Sequence, residues 1–89
     1  MTVLHKQFGQ RIRQIRDQLD KTQEEFAEIT GMSVDFLSLI ERGRNAPSFK
    51  KLDRMAKGLG KPVAFLFTFD AAIAGPLSGR KNKRVGRRD

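Results

Sequence analysis

The stretch from Thr22 to Gly43, TQEEFAEITGMSVDFLSLIERG, constrains this chain more than any other, because its punctuation spells two short helices folded over a sharp turn. The Thr22 hydroxyl is placed to accept from the amide three residues on, while Glu25 reaches back to the Thr22 amide; this reciprocal arrangement starts a helix. Phe26, Ala27 and Ile29 give that helix an apolar face, and Gly31 sits where the chain must turn, at positive φ. Ser33 caps the second helix. Met32 and Leu37 are spaced as a hydrophobic staple, and Phe36, Leu37 and Ile40 form the stripe that packs inward before Gly43 ends that helix.

The flanks have the same helical grammar. Leu4, Phe8, Ile12, Ile15 and Leu19 recur at three- and four-residue spacings, predicting a first helix with one apolar face, off which Lys6, Arg11 and Arg13 lie. Pro47 and Ser48 open a fourth helix that turns Leu52, Met55, Ala56 and Leu59 inward and stops at Gly60. Pro62 can open a short fifth one, with Val63, Leu66 and Phe67 toward the core. Phe65, Phe67 and Phe69 also alternate as in a strand, so periodicity alone leaves that stretch open. The expectation is an all-α, compact bundle of about five helices in one domain over residues 1–74, followed by a disordered basic tail over 75–89.

Composition narrows the chemistry. A hydrophobic content of 38% in 89 residues furnishes one small core, so a second domain is not expected. With no cysteine, disulfides and cysteine-based zinc sites are excluded, which suits a reducing compartment. No apolar run approaches the roughly 20 residues that span a bilayer, and the N-terminus has no secretory apolar region, so a cytoplasmic, nucleoid-associated location is expected. The charge of +8 is unevenly spread: RKNKRVGRRD at the end holds +5, leaving +3 on residues 1–79. His5 is the only histidine, near a fraying terminus and without a carboxylate pattern, so no metal is expected. Glu24, Glu25 and Glu28 form a helix face, no nucleophile has an adjacent base, and no loop is built to cradle phosphate. Neither enzyme activity nor a cofactor or small-molecule ligand is expected. A tight turn between crossed helices does suit entry of one helix into a DNA major groove, which makes double-stranded DNA the first candidate partner.

The run T-Q-E-E-F-A-x-x-x-G-M-S-x-x-F-L-S-x-I-E-R-G-R-N-x-P-S resembles the helix-turn-helix of the phage Cro and cI repressor-like (Xre) family. Leu52, Met55, Ala56, Leu59 and the segment from Gly60 to Phe67 are similar to that family's closing helices, so the resemblance covers residues 5–67. It implies a lambda-repressor-like fold and base contacts from Ser33, Val34, Asp35, Ser38 and Leu39. The usual bidentate readers, Arg, Gln and Asn, are absent from that face; Val34 and Leu39 suit thymine methyl groups, the serines several base edges, and Asp35 the cytosine amino group. Gln23, opening the second helix beside the mainly structural Thr22, is implied as a phosphate contact. Arg42, Arg44, Asn45, Lys50 and Lys51 cluster around the next loop, where they suit phosphates flanking the groove. Arg16 and Glu41 resemble the family's internal ion pair.

Phe65 stands where the family usually has a polar residue. With Phe69 and Ile73 it predicts a homodimer surface. The implied function is a DNA-binding transcriptional regulator working as a homodimer on a pseudo-palindromic operator. Autoregulation is implied by likeness to phage repressors and restriction–modification controllers. The alternative is an antitoxin or adaptor that binds a second protein, such as a toxin or RNA polymerase. Arg80, Lys81, Lys83, Arg84, Arg87 and Arg88 form either an arm along the phosphate backbone or minor groove, or a solubilising appendage.

Overall fold

The computed structural model describes residues 2–69, and every α-helix in it begins at a residue that can satisfy unpaired amides. Helix α1 (Val3–Gln18) is capped by Thr2, α2 (Gln23–Thr30) by Thr22, α3 (Val34–Glu41) by Ser33 and α4 (Phe49–Leu59) by Ser48, each hydroxyl accepting from the amide three residues on. At the start of α1 the His5 ring completes a capping box, its Nδ1 accepting from the Thr2 amide at 3.4 Å and lying 2.7 Å from the Thr2 hydroxyl. His5 thus serves as the capping partner of Thr2 at the start of α1.

Left-handed residues end the helices. Gly31, Gly43 and Gly60 have φ of 74°, 73° and 67°. After α3 the amides of Gly43 and Arg44 donate to the carbonyls of Ile40 and Leu39, both at 2.9 Å, which closes the helix as a Schellman motif. After α1 the same position falls to Asp20, at φ 57°.

Helix α1 crosses α3, α2 packs between α3 and α4, and a 3-10 turn (Val63–Phe67) closes the bundle against α1 and α4. The core joins Phe8, Ile12 and Ile15 of α1 to Phe26, Leu37, Ile40, Met55 and Leu66. Two crossings depend on missing side chains: a Cβ on Gly9 would collide with the Ile40 carbonyl, and one on Gly58 with that of Ile29.

Several expectations need correcting. Leu4 and Leu19, at the ends of the apolar stripe of α1, are 52% and 45% exposed because the rest of the bundle covers only its middle. Phe36 and Ile29 are half-buried. The fifth helix is a 3-10 turn, in which three residues per turn leave one position in three facing inward. That position is Leu66, and Phe67, one residue on, stays exposed; Val63, one turn before Leu66 at the open start of the 3-10 segment, is exposed as well. Arg11, placed off the apolar stripe by the sequence, is buried. Ile73 and residues 75–89 lie outside the described residues. No helix among the described residues is long and apolar enough to cross a membrane.

Candidate nucleic-acid interface

The turn between α2 and α3 is held on both sides. Its outer face is covered by Arg54 of α4, whose Cδ would stand 2.6 Å from a Cβ on Gly31. Inside, Thr30 is buried and its hydroxyl donates to the Phe26 carbonyl at 2.7 Å. The Thr22 hydroxyl accepts from the Glu25 amide, and the Glu25 carboxylate accepts from the Thr22 amide at 2.9 Å. That backbone hydrogen bond holds the Glu25 carboxyl below its ordinary value.

Beside this start lies an ionic network. The Arg16 guanidinium donates to both oxygens of Glu41, from Nε at 2.7 Å and Nη2 at 3.0 Å, and from Nη1 to the Lys21 carbonyl at 3.1 Å. The hydrogen bond to Glu41 raises the pKa of Arg16 above its ordinary value, against an opposing effect of burial. Gln23 joins the network, its Nε2 donating to Glu41 Oε1 at 3.1 Å. One amide hydrogen of Gln23 is thus committed to Glu41, which fixes the direction of the second. Sequence resemblance anticipated the ion pair; the tie to Gln23, 18 residues away, had no local signal.

Along α3, Ser33 and Asp35 are exposed, and Ser38 and Leu39 are half-buried. Val34 is half-buried against the core, so it offers less surface than a free reader of thymine would. The loop beyond is basic and open: Arg42, Arg44, Asn45 and Lys50 are exposed. Arg42 Nε donates back to the Ser38 carbonyl at 3.3 Å, and Asn45 Oδ1 accepts from the Ala46 amide at 2.8 Å. Lys51 is exposed too, with its ammonium 4.0 Å from the Phe36 ring centroid. Phe36 therefore carries Lys51 on its face instead of entering the core fully.

Lys6 was not among the sequence candidates, yet its stem packs against Gly43 and it lines a polar recess of about 190 Å³ with Gln10, Glu41 and Arg42. Of the predicted homodimer residues, Phe65 is half-buried rather than exposed, between the Arg11 guanidinium at 4.5 Å and the Lys61 ammonium at 5.4 Å from its centroid. Phe69 is half-buried against the core. Among the described residues, no group of three or more His, Asp or Glu side chains is placed to hold a metal ion.

A family model described as Helix-turn-helix (HTH_3) matches residues 12–66. A curated relative from Rhodospirillum rubrum, called an uncharacterized transcriptional regulator in the ATPase CF(0) region, is 40% identical over 60 residues; the match covers 67% of this chain and 56% of the relative. The restriction-modification controller protein C.AhdI from Aeromonas hydrophila is 28% identical at a TM-score of 0.66, over 71% of this chain and 96% of that one. The clp gene regulator ClgR from Corynebacterium glutamicum is 31% identical at a TM-score of 0.69, over 86% of this chain and 99% of that one.

Proposed function

The chain belongs to the helix-turn-helix family HTH_3, and on that premise we propose that it is a transcriptional regulator that binds double-stranded DNA sequence-specifically, as a homodimer on a pseudo-palindromic operator. The observation that carries this reading is an α3 face on which Ser33 and Asp35 are exposed, beside two flanks whose side chains suit phosphates. One flank is the start of α2, where Gln23 is oriented by Glu41; the other is the open cluster of Arg42, Arg44, Asn45 and Lys50. Backbone contacts on both sides set register, and α3 then reads the bases between them.

We infer autoregulation from the likeness to a restriction-modification controller protein. Such a regulator acts in the cytoplasm, on the nucleoid. The test is fluorescence anisotropy with a duplex from the gene's own upstream region against a scrambled duplex. Specific binding should be tighter by about a thousandfold or more, on two half-sites about 34 Å apart. Equal affinities for the two duplexes would overturn it.

Two observations favour a second reading, that of an antitoxin or adaptor: Phe49 is 89% exposed, and the α3 face lacks Arg, Gln and Asn. Under that reading the protein would be insoluble or degraded unless co-expressed with a neighbouring gene product, and the two duplexes would bind alike.

A further inference from the structure

Phe49, the first residue of α4, is 89% exposed, whereas Phe65 and Phe69 are half-buried within their own chain. Beside it, where the starts of α1 and α4 meet the 3-10 turn, Leu4, Phe8, Pro47, Leu52 and Phe67 line an open apolar groove of about 230 Å³. Phe49 stands at the rim of this groove without filling it. Scattered exposed apolar residues are ordinary, but a contiguous set around a groove marks a surface that something covers.

The surface is complementary to itself. It carries a projecting aromatic ring and, next to it, a recess large enough for one, since a cavity of about 150 Å³ already holds a benzene ring. Two copies related by a two-fold axis can each place Phe49 in the other's groove, an exchange that closes on itself and takes both rings and both grooves out of water. Each ring buries roughly 150–250 Å² in this way. The exposed parts of Leu4 and Phe67, 52% and 39% of each residue, are covered with it. That falls short of the roughly 800 Å² per partner of a standard interface, so the scale is that of a reversible dimer.

We propose that the chain dimerises through this surface, with Phe49 of each copy seated against Leu4, Phe8 and Phe67 of the other. The inference rests on the homodimer of the proposed function and names the face that forms it. Continuity with the DNA face favours a second copy over a different protein. Ala46 and Pro47 line the groove directly after the exposed Arg44 and Asn45, and the exposed Lys50 follows Phe49. A two-fold seam at this place brings the basic loops of both copies side by side, where one duplex can meet them together.

Sedimentation equilibrium of the full chain without DNA tests the exchange through two charge-bearing variants. Leu4→Glu and Phe49→Lys each replace an exposed side chain in the first turn of a helix, outside the core. Alone, each should self-associate about a hundredfold more weakly than the parent, because both ring-in-groove contacts are lost. Mixed in equal amounts, the two variants should pair at least about tenfold more tightly than either does alone. In the mixed dimer one groove keeps both Leu4 and Phe49, and the other brings the introduced carboxylate and ammonium together; a folding defect would not be mended by mixing. A parent still monomeric at about 1 mM would leave the groove to a different protein and overturn the proposal. So would a Phe49→Lys variant that associates like the parent, or a mixture no tighter than its components. The assay contains no DNA, so its failure is distinct from that of the regulatory reading, which fails on equal affinities for operator and scrambled duplexes.

Discussion

The Arg11 guanidinium donates two hydrogen bonds to the Phe65 carbonyl, from Nε at 3.0 Å and Nη2 at 2.9 Å, while its Cζ lies 4.5 Å from the centroid of the Phe65 ring. A third bond runs from Nη1 to Gln14 Oε1 at 2.8 Å. One buried cation thus fastens the 3-10 turn to α1, joining segments 54 residues apart in sequence. Desolvation lowers its pKa from the ordinary guanidinium value, yet a guanidinium remains charged at neutral pH. Its charge is compensated by carbonyl oxygens and an aromatic face.

Arg11→Met should therefore destabilise the domain by about 2 kcal/mol, the scale of losing charge-assisted hydrogen bonds at a partly buried carbonyl. Arg11→Lys should recover little, because an ammonium cannot reproduce the fork. Urea unfolding measures both, and a lysine variant as stable as the parent would contradict the role of the planar geometry.

The second prediction separates stability from recognition. Glu41→Ala leaves Arg16 uncompensated and should cost about 3 kcal/mol, whereas Arg16→Met combined with Glu41→Leu should restore most of it, because an apolar pair replaces a buried ionic one. Gln23 loses the Glu41 acceptor in the double variant, so DNA affinity should stay low after stability returns. Full recovery of binding would show that Glu41 does not orient Gln23.

Local signals in the sequence were legible and distant ones were not. Caps at Thr22, Ser33 and Ser48, and stops at Gly31, Gly43 and Gly60, each need only a side chain and backbone a few residues away. The Arg16–Glu41 pair was legible through family resemblance. Arg11 was not, because its acceptor is a backbone carbonyl in a distant turn and any residue at position 65 supplies one. The partial burial of Phe65 and exposure of Phe67 depended on the turn being 3-10, a difference of a fraction of a residue per turn that apolar periodicity does not resolve. At the interface, residue types named the cations, but the tie that aims Gln23 and the packing that withdraws Val34 arise from helix crossings.

Glycines that look alike in sequence should respond differently to alanine. Gly9→Ala and Gly58→Ala push a methyl into the backbone carbonyls of Ile40 and Ile29, so each should lose about 2 kcal/mol or more as the crossings are forced apart. Gly60→Ala meets open space and bears only the cost of φ near 67°, about 1 kcal/mol. Thermal melts would sink this ordering if Gly60→Ala proved the worst of the three.

Acid should loosen the start of α2. The Glu25 carboxyl sits below its ordinary 4.5 in the folded protein because the Thr22 amide donates to the ionised form. A depressed folded pKa contributes stability that is present above the unfolded value and is lost as pH falls through the folded one. Glu25→Gln keeps a capping-box partner without the ionisation, so its stability should vary less with pH below 4.5 than the parent's. Parallel acid limbs in the two proteins would remove Glu25 as the source.

The final prediction concerns how affinity and specificity divide across the DNA face. Arg42, Arg44 and Lys50 are exposed around the end of α3 and the start of α4. Each phosphate neutralised releases counterions and contributes about 0.9 to the slope of log affinity against log salt. Alanine at each should flatten that slope by roughly this amount and weaken operator and random duplexes alike. Asp35 is exposed in the first turn of α3 and carries the wrong charge for a phosphate contact. Its carboxylate is suited to accept from a cytosine amino group, a contact that discriminates by about 1–3 kcal/mol. Asp35→Ala should therefore relax one base preference in each half-site while leaving the salt slope as steep as before. An unchanged base-preference profile across a randomised operator library would remove Asp35 from the reading face, and a salt slope that ignored all three cations would move the phosphate contacts elsewhere.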